Sequence, residues 1–171
     1  MGKTRTVLFA AIAALVVTPL ASGSGVAAAA PAAPVALLTL TTWPGGWQGR
    51  TDLRPILEVS ADGRAVKSPD AADPNRGSDK APQRVDGHIP ADVLSAAVTE
   101  TKAVAALDLG MPSNSDQGSQ IIDLMTQAPD QDVHVVMYAP DSTENLSAEQ
   151  QANRKRFSEL YRKLVDAFVQ G

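Results

Sequence analysis

Short stretches of the chain alternate apolar and polar residues, which is the pattern of β-strands with one buried face. In the first stretch, Leu38 and Leu40 alternate with threonines. Asp62-Gly63 is a strong two-residue turn, so the apolar stretches on either side of it predict a β-hairpin. The predicted strands are residues 35–42, 56–61, 64–67, 121–126 and 133–138.

Two longer stretches repeat apolar residues every three or four positions, as amphipathic helices do. The first is predicted over residues 90–108, because Pro90 suits a first helical position and Gly110 lies just beyond the end. The second follows Ser147 and Gln150, which fit a capping box. Its apolar stripe predicts a core face and consists of Phe157, Leu160, Tyr161, Leu164, Val165 and Phe168.

The order strand, hairpin, helix, two strands, helix predicts an α+β fold. We expect an antiparallel sheet of four to five strands, with two helices packed on one face and the other face partly solvated. Residues 68–87 contain three prolines, two glycines and four aspartates, but only one large aliphatic residue. Such a segment buries little apolar surface, so it predicts a long, flexible, exposed loop.

The first thirty residues have the layout of a secretory signal peptide. Lys3 and Arg5 form the charged start, and residues 7–20 are an apolar stretch, too short to span a bilayer. We therefore predict a signal peptide over residues 1–30, a disordered Ala/Pro tail over 31–36 and a single α+β domain over 37–171. The predicted localisation is extracellular, with no membrane attachment after cleavage.

Charge narrows the choice of partner. Two of the 15 basic residues lie in the predicted leader, so 13 remain against 19 acidic residues, a net charge of −6. This balance disfavours nucleic acid and anionic membranes as partners. Three adjacent basic residues fan around the last helix, and we interpret Arg154, Lys155 and Arg156 as solvated surface or as partners of Glu159. Cysteine is absent, so packing rather than disulfides must stabilise the domain.

Residue patterns that carry known chemistry are missing from the sequence. The two histidines, His88 and His134, are too far apart for a spaced metal motif, and His134 is predicted on the solvated side of a strand. No Gly-x-Ser-x-Gly elbow follows the leader, and there is no phosphate-binding glycine loop. Acidic residues are too numerous for their spacing to identify a catalytic pair. The sequence thus predicts no catalytic residue, no metal site and no cofactor.

Residues 43–50 are the most unusual segment, because they place two tryptophans among three glycines and a proline. Tryptophan and arginine are frequent in binding hot spots. Trp43, Trp47, Gln48 and Arg50 are therefore the candidate partner-binding residues. The alternative is that the two tryptophans fold back as a lid on the core.

Residues 37–168 resemble, in the order of their elements, the emfourin-like inhibitors of thermolysin-type metalloproteases. The likeness lies in the helix ending at residues 105–112 (AALDLGMP), followed by two strands and a last helix. It implies protease inhibition, but it contains no specific motif, so no inhibitory residue is transferred. The Leu-Thr-Leu-Thr start is also similar to that of subtilisin-inhibitor-like proteins, whose disulfide cysteines are missing here. The alanine-rich leader resembles those of secreted actinobacterial proteins.

The absence of catalytic patterns, together with two conspicuous loops, favours a secreted non-enzymatic binding protein. Its narrower form is a protease inhibitor, with a secreted protease or a cell-envelope component as partner. Two alternatives stay open. One is a cell-envelope hydrolase that uses carboxylates. The other is a cell-wall or sugar-binding module in which Trp43 and Trp47 form a stacking platform.

Overall fold

The computed structural model describes residues 35–46, 51–113 and 116–171. The predicted signal peptide and residues 31–34 of the predicted tail lie outside the described residues. Within the described ranges the elements follow in the order β1 (Ala36–Trp43), β2 (Leu57–Ser60), β3 (Arg64–Lys67), β4 (Val85–His88), α1 (Ala91–Ala105), β5 (Ser119–Leu124), β6 (Val133–Tyr138), α2 (Ala148–Asp166) and β7 (Val169–Gln170). A short 3-10 helix, Pro129–Gln131, joins β5 to β6.

The strands form one antiparallel sheet in the order β6-β5-β1-β2-β3-β4-β7. The chain runs through β1 to β4 as a meander. Helix α1 then carries it back to the far side of β1, and α2 returns it from β6 to β7, beside β4. This confirms the predicted α+β class with two helices and an antiparallel sheet.

The predicted number of strands, four to five, was wrong, because the sheet of the described residues has seven. The two additional strands are β4 and β7. β4 (VDGH) contains one aliphatic residue and lies at the end of the predicted loop, and β7 has only two residues. Neither strand is long or regular enough to show an alternation of apolar and polar residues.

The core lies between the two helices and one face of the sheet. Leu38 and Leu40 of β1 are fully buried in it. The stripe predicted on α2 supplies much of the rest, since its buried apolar residues are Phe157, Leu160, Tyr161 and Leu164. The Tyr161 hydroxyl lies 2.9 Å from Thr42 Oγ1. Burial raises the pKa of Tyr161 well above its usual value near 10, so the phenol stays protonated in the folded protein.

Local sequence sets the boundaries of both helices. Gln150 N–H donates to Ser147 Oγ at 3.1 Å, and Ser147 N–H donates to Gln150 Oε1 at 2.9 Å, so the capping box is confirmed. Helix α1 begins at Ala91, one residue later than predicted and with Pro90 at the N-cap, and it ends at Ala105 rather than near 108. The chain tightens there, because the next two N–H groups donate to carbonyls three residues back.

Arg154 corrects the interpretation of the basic run on α2 as solvated surface. Its side chain is buried, and the guanidinium donates to Leu109 O at 3.2 Å and to Tyr138 O and Ala139 O at 2.6 Å. Ala139 has a φ of 43°, a left-handed conformation that is strained for alanine. Burial lowers the pKa of Arg154. The arginine thus joins α2 to the end of β6 and to the connection between α1 and β5.

The other two residues of the basic run are exposed, as interpreted. Lys155 Nζ lies 3.9 Å from a carboxylate oxygen of Glu159. Arg156 instead reaches Glu100 of α1, donating to both carboxylate oxygens, and this hydrogen bonding lowers the pKa of Glu100. The ion pair bridges the two helices on their outer surface.

A second buried arginine organises part of the segment predicted as a long loop. Successive turns carry the chain through the first half of residues 68–87. Within them the Arg76 guanidinium donates to the carbonyls of Asp70, Ala71 and Lys80, and to a carboxylate oxygen of Asp52 at 2.9 Å. Only 4% of the Arg76 side chain is exposed. The segment therefore has its own polar centre, and its last residues join the sheet as β4.

Thr101 on α1 is fully buried, and its hydroxyl lacks a hydrogen-bond partner. No other buried side-chain oxygen or nitrogen in the described part of the chain is unpaired. An unpaired buried hydroxyl costs about 1–3 kcal/mol. Thr101→Val keeps the branched shape and removes the hydroxyl, so we expect the free energy of unfolding, measured by urea denaturation, to rise by about 1 kcal/mol. Thr99→Val is the control, because the Thr99 hydroxyl is exposed and donates to Ser95 O. A lower stability for Thr101→Val would contradict this expectation.

Candidate binding face

The sheet face turned away from the helices, called the open face below, gathers exposed aromatic, apolar and charged side chains. Leu38 and Leu40 of β1 point into the core, so Thr39, Thr41 and Trp43 point to the open face. Strands β5 and β6 extend this face on one side of β1, and β2, β3 and β4 extend it on the other.

One row across the open face carries two aromatic side chains. Trp43 pairs with Ser119 of β5, and Ser119 pairs with Tyr138 of β6. Because neighbouring strands lie about 4.8 Å apart, the backbones at Trp43 and Tyr138 are separated by roughly 10 Å. Trp43 is 44% exposed and Tyr138 is 46% exposed. We call this row of Trp43, Ser119 and Tyr138 the aromatic row.

The row beside it is mainly apolar. Thr41, Ile121 and Val136 are in register there, whereas the exposed Met125, just beyond the end of β5, lies on the far side of the polar row described next. Six large hydrophobic residues are exposed among the described residues, and two of them, Trp43 and Tyr138, lie close together in the aromatic row. Exposed apolar side chains grouped in this way are typical of interaction surfaces.

A polar group lies in the third row, where Thr39, Asp123 and His134 are in register. His134 Nδ1 contacts Asp123 Oδ1, and Thr39 Oγ1 donates to Asp123 Oδ2 at 3.4 Å. The carboxylate therefore lies between the hydroxyl and the imidazole, whereas a catalytic triad places the imidazole in the middle. The His134 side chain is 65% exposed, on the solvated side of its strand as predicted. This geometry orients the imidazole but does not activate the hydroxyl as a nucleophile.

The other half of the open face is charged. Glu58 is in register with Thr39, and Val66 and Asp86 continue the same row across β3 and β4. Arg84 Nη1 lies 3.8 Å from the Glu58 carboxylate, beside a shallow pocket of about 340 Å³. The apolar patch on β1, β5 and β6 is thus bordered by paired charges, an arrangement found in protein interfaces with an apolar centre and a polar rim.

Close backbone packing fixes the position of Trp43. Gly118 has a φ of 78°, and a Cβ at this position would lie 2.2 Å from Trp43 O, so glycine is required. Gly46 N–H also donates to Asp116 Oδ1 at 3.4 Å. The first residues after β1 therefore lie against the segment that leads into β5.

The structure describes one of the four candidate partner-binding residues. Trp43 is the last residue of β1 and is half-exposed on the open face, while Trp47, Gln48 and Arg50 lie outside the described residues. The sequence argument missed Tyr138. Its alternation with the core residues of β6 places it on the solvated side, but the strand pairing that brings it into the aromatic row has no local signal in the sequence.

No three His, Cys, Asp or Glu side chains come together as a possible metal site among the residues that the structure describes. No helix in the described ranges is both long and apolar enough to cross a membrane. Comparison with protein-family models, with curated proteins and with solved structures finds no match to this chain. Its function is therefore argued from the geometry of the open face.

Proposed function

We propose that this chain is a secreted, non-enzymatic binding protein whose open face engages a protein partner. The aromatic row is the observation that supports the proposal most directly. Tryptophan and tyrosine are enriched among the residues that dominate binding energy, above all where a polar rim surrounds an apolar centre. The sheet fixes the backbone at both residues before binding, so no backbone entropy is lost there when the complex forms.

The narrower form of the proposal is inhibition of a secreted protease. It is supported by the resemblance in element order to protease inhibitors and by the predicted leader, which would bring the chain and a secreted protease into the same compartment. The acidic balance of the predicted mature chain is compatible with a protein partner and disfavours nucleic acid.

We expect the purified protein to bind a secreted subtilisin-like or thermolysin-like protease at micromolar concentration or below in calorimetric titration. The double variant Trp43→Ser/Tyr138→Ser removes both aromatic anchors and should weaken binding about thirtyfold or more, because even one hot-spot residue contributes about 2 kcal/mol or more. Val169→Ser is a matched control, since Val169 is 46% exposed on β7, at the opposite edge of the sheet.

Two results would count against these proposals. Absence of binding to both classes of protease at micromolar concentration would remove the inhibitor form. Undiminished binding by the double variant, with its fold intact by circular dichroism, would remove the open face as the contact surface.

A second candidate function is binding of cell-wall polysaccharide. The observation that favours it is the spacing of the aromatic row, because two aromatic side chains on one face, about 10 Å apart at the backbone, offer stacking positions for successive sugars. Peptidoglycan fragments should then change the tryptophan fluorescence of the native protein, and the change should be smaller in Trp43→Ser, which keeps Trp47 as its single tryptophan. Unchanged fluorescence in the native protein would count against sugar binding.

A further inference from the structure

Strand β6 forms one edge of the sheet, and the phase of its hydrogen bonds shows which main-chain groups it leaves unused. The N–H of Ala139 donates to Gly118 O at 2.9 Å and continues the ladder between β5 and β6. Bonded pairs alternate along an antiparallel ladder. The residues that direct N–H and C=O toward β5 are Val133, Val135 and Met137. Those that direct both groups away from the sheet are His134, Val136 and Tyr138.

These outward groups are almost entirely free. Among the residues that the structure describes, β5 is the sole neighbour of β6 in the sheet. Across the described part of the chain, the one hydrogen bond that reaches them is from Arg154 to Tyr138 O, at 2.6 Å. The N–H groups of His134, Val136 and Tyr138 therefore point away from the molecule.

Edge strands are usually made short or interrupted, because their unpaired main chain is a template for another strand. The opposite edge follows this rule, since β7 has only two residues. β6 does not follow it. Its six residues, VHVVMY, include no proline or lysine, and its pairing with β5 has no register shift.

We infer that the free edge of β6 binds an extended segment of a partner protein by strand addition, and that this segment carries basic residues on both sides of an apolar centre. The main-chain groups of β6 are complementary to an extended backbone. The valines in the middle of the strand favour apolar side chains in the added strand. The inference goes beyond the proposed function, because it uses the main chain at the sheet edge rather than the side chains of the aromatic row.

Acidic residues at both ends of β6 are the reason for the basic flanks. Asp130 and Asp132 are exposed just before the strand, and Asp141 is exposed just after it. One basic residue lies near the first group, where Lys102 Nζ is 3.5 Å from Gln131 Oε1. At the other end, the buried Arg154 guanidinium donates to Tyr138 O. The exposed acidic groups outnumber these two cations, so a segment with lysine or arginine at each end is complementary in charge.

The same charges disfavour a second copy of this chain on the edge. In the symmetric antiparallel pairing centred on Val136, the segment after β6 in one copy, which carries Asp141, would lie near the segment before β6 in the other, which carries Asp130 and Asp132. The arrangement occurs twice, once at each end of the paired strands. Like charges that face each other destabilise a strand pair, so the edge suits a basic peptide better than self-pairing.

The probe for the test is the capped peptide KRVTVTVRK, with backbone amide exchange followed by NMR. At saturation we expect exchange of the His134, Val136 and Tyr138 amides to slow about tenfold or more, because each becomes hydrogen-bonded. The Val135 amide already belongs to the ladder and should not change. The charge-reversed peptide EDVTVTVDE should bind at least about tenfold more weakly than KRVTVTVRK. A form of KRVTVTVRK that is N-methylated at all its central residues should not slow the exchange of these amides.

Variants of β6 test the same edge from the protein side. Val136→Pro removes the central outward N–H, and proline is tolerated on edge strands where that group faces solvent. It should weaken binding of KRVTVTVRK about tenfold, while Val136→Thr, which keeps the N–H, should not. If Val136→Pro does not fold, the N-methylated peptide with the native protein decides the question.

Three outcomes would overturn the inference. The first is unchanged exchange of the outward amides at saturating peptide. The second is equal affinity for the charge-reversed or the N-methylated peptide. The third is a dimer in sedimentation with the outward amides protected in the absence of peptide, which would assign the edge to a second copy of the chain.

Discussion

Replacing Arg154 with methionine should lower the free energy of unfolding by about 3 kcal/mol. Methionine keeps much of the aliphatic volume but removes the donors to Leu109 O and Tyr138 O, and a buried carbonyl without a partner costs about 1–3 kcal/mol. It also releases the strained backbone at Ala139, whose carbonyl the guanidinium holds. Urea denaturation monitored by circular dichroism measures the loss.

Lys155→Met is the matched control, because it makes the same change one residue further along α2, where 77% of the side chain is exposed. Exposed ion pairs such as Lys155 with Glu159 contribute little to stability, so its denaturation midpoint should stay close to that of the native protein. Arg154→Lys should also destabilise, since a single ammonium group lacks the forked geometry that reaches several carbonyls at once. Equal midpoints for Arg154→Met and Lys155→Met would show that the buried arginine is not structurally important.

Replacing Arg76 with methionine should open the segment of residues 68–87 and cost about 3–5 kcal/mol, because it breaks a nearly buried ion pair with Asp52. The carbonyls of Asp70, Ala71 and Lys80 lose their shared donor at the same time. Limited proteolysis with mass spectrometry should therefore show rapid cleavage in this segment of the variant. The native segment should be cut far more slowly.

Arg84→Met is the control for this experiment, because it changes an arginine of the same segment that is 61% exposed and lies 3.8 Å from Glu58. It should leave the cleavage rate and the denaturation midpoint nearly unchanged. If the protease cuts Arg76→Met no faster than Arg84→Met, the turns around Arg76 are stable without the hydrogen bonds of its guanidinium.

Elements with a local cause could be predicted from the sequence. The alternation around Leu38 and Leu40 marked β1, and the reciprocal hydrogen bonds of Ser147 and Gln150 mark the start of α2 where the capping box predicted it. β4 was not predicted because the contacts that form it come from residues far away in the sequence. A Cβ at Gly87 would lie 2.3 Å from Val169 O and 2.6 Å from the Phe168 ring, so this glycine exists to let β7 approach.

The buried arginine of α2 did have a signal in the sequence. Arg154 precedes Phe157 by three residues and Tyr161 by seven, so it lies on the same stripe as the apolar residues of α2. The basic run around it suggested solvated surface and concealed that spacing. Arg76 had no such signal, because its partners come from turns that no periodic pattern describes.

The candidate site was predictable only in part. Trp43 stood out by composition, and its exposure on the open face follows from the alternation of β1. Tyr138 becomes its neighbour through β5, and that pairing depends on how α1 returns the chain across the sheet. Sequence alternation gives the face of each strand, but not which strands are adjacent.

The pairing of β1 with β5 affects when the sheet can form. The two strands are separated in the chain by β2, β3, β4 and α1, yet Leu38 lies directly opposite Leu124. Sheets that depend on such distant partners fold in milliseconds to seconds, because much chain entropy is lost before the contact is gained. For a protein secreted as proposed, this slow step would leave the polypeptide unfolded long enough to pass through a translocation pore before β1 pairs with β5.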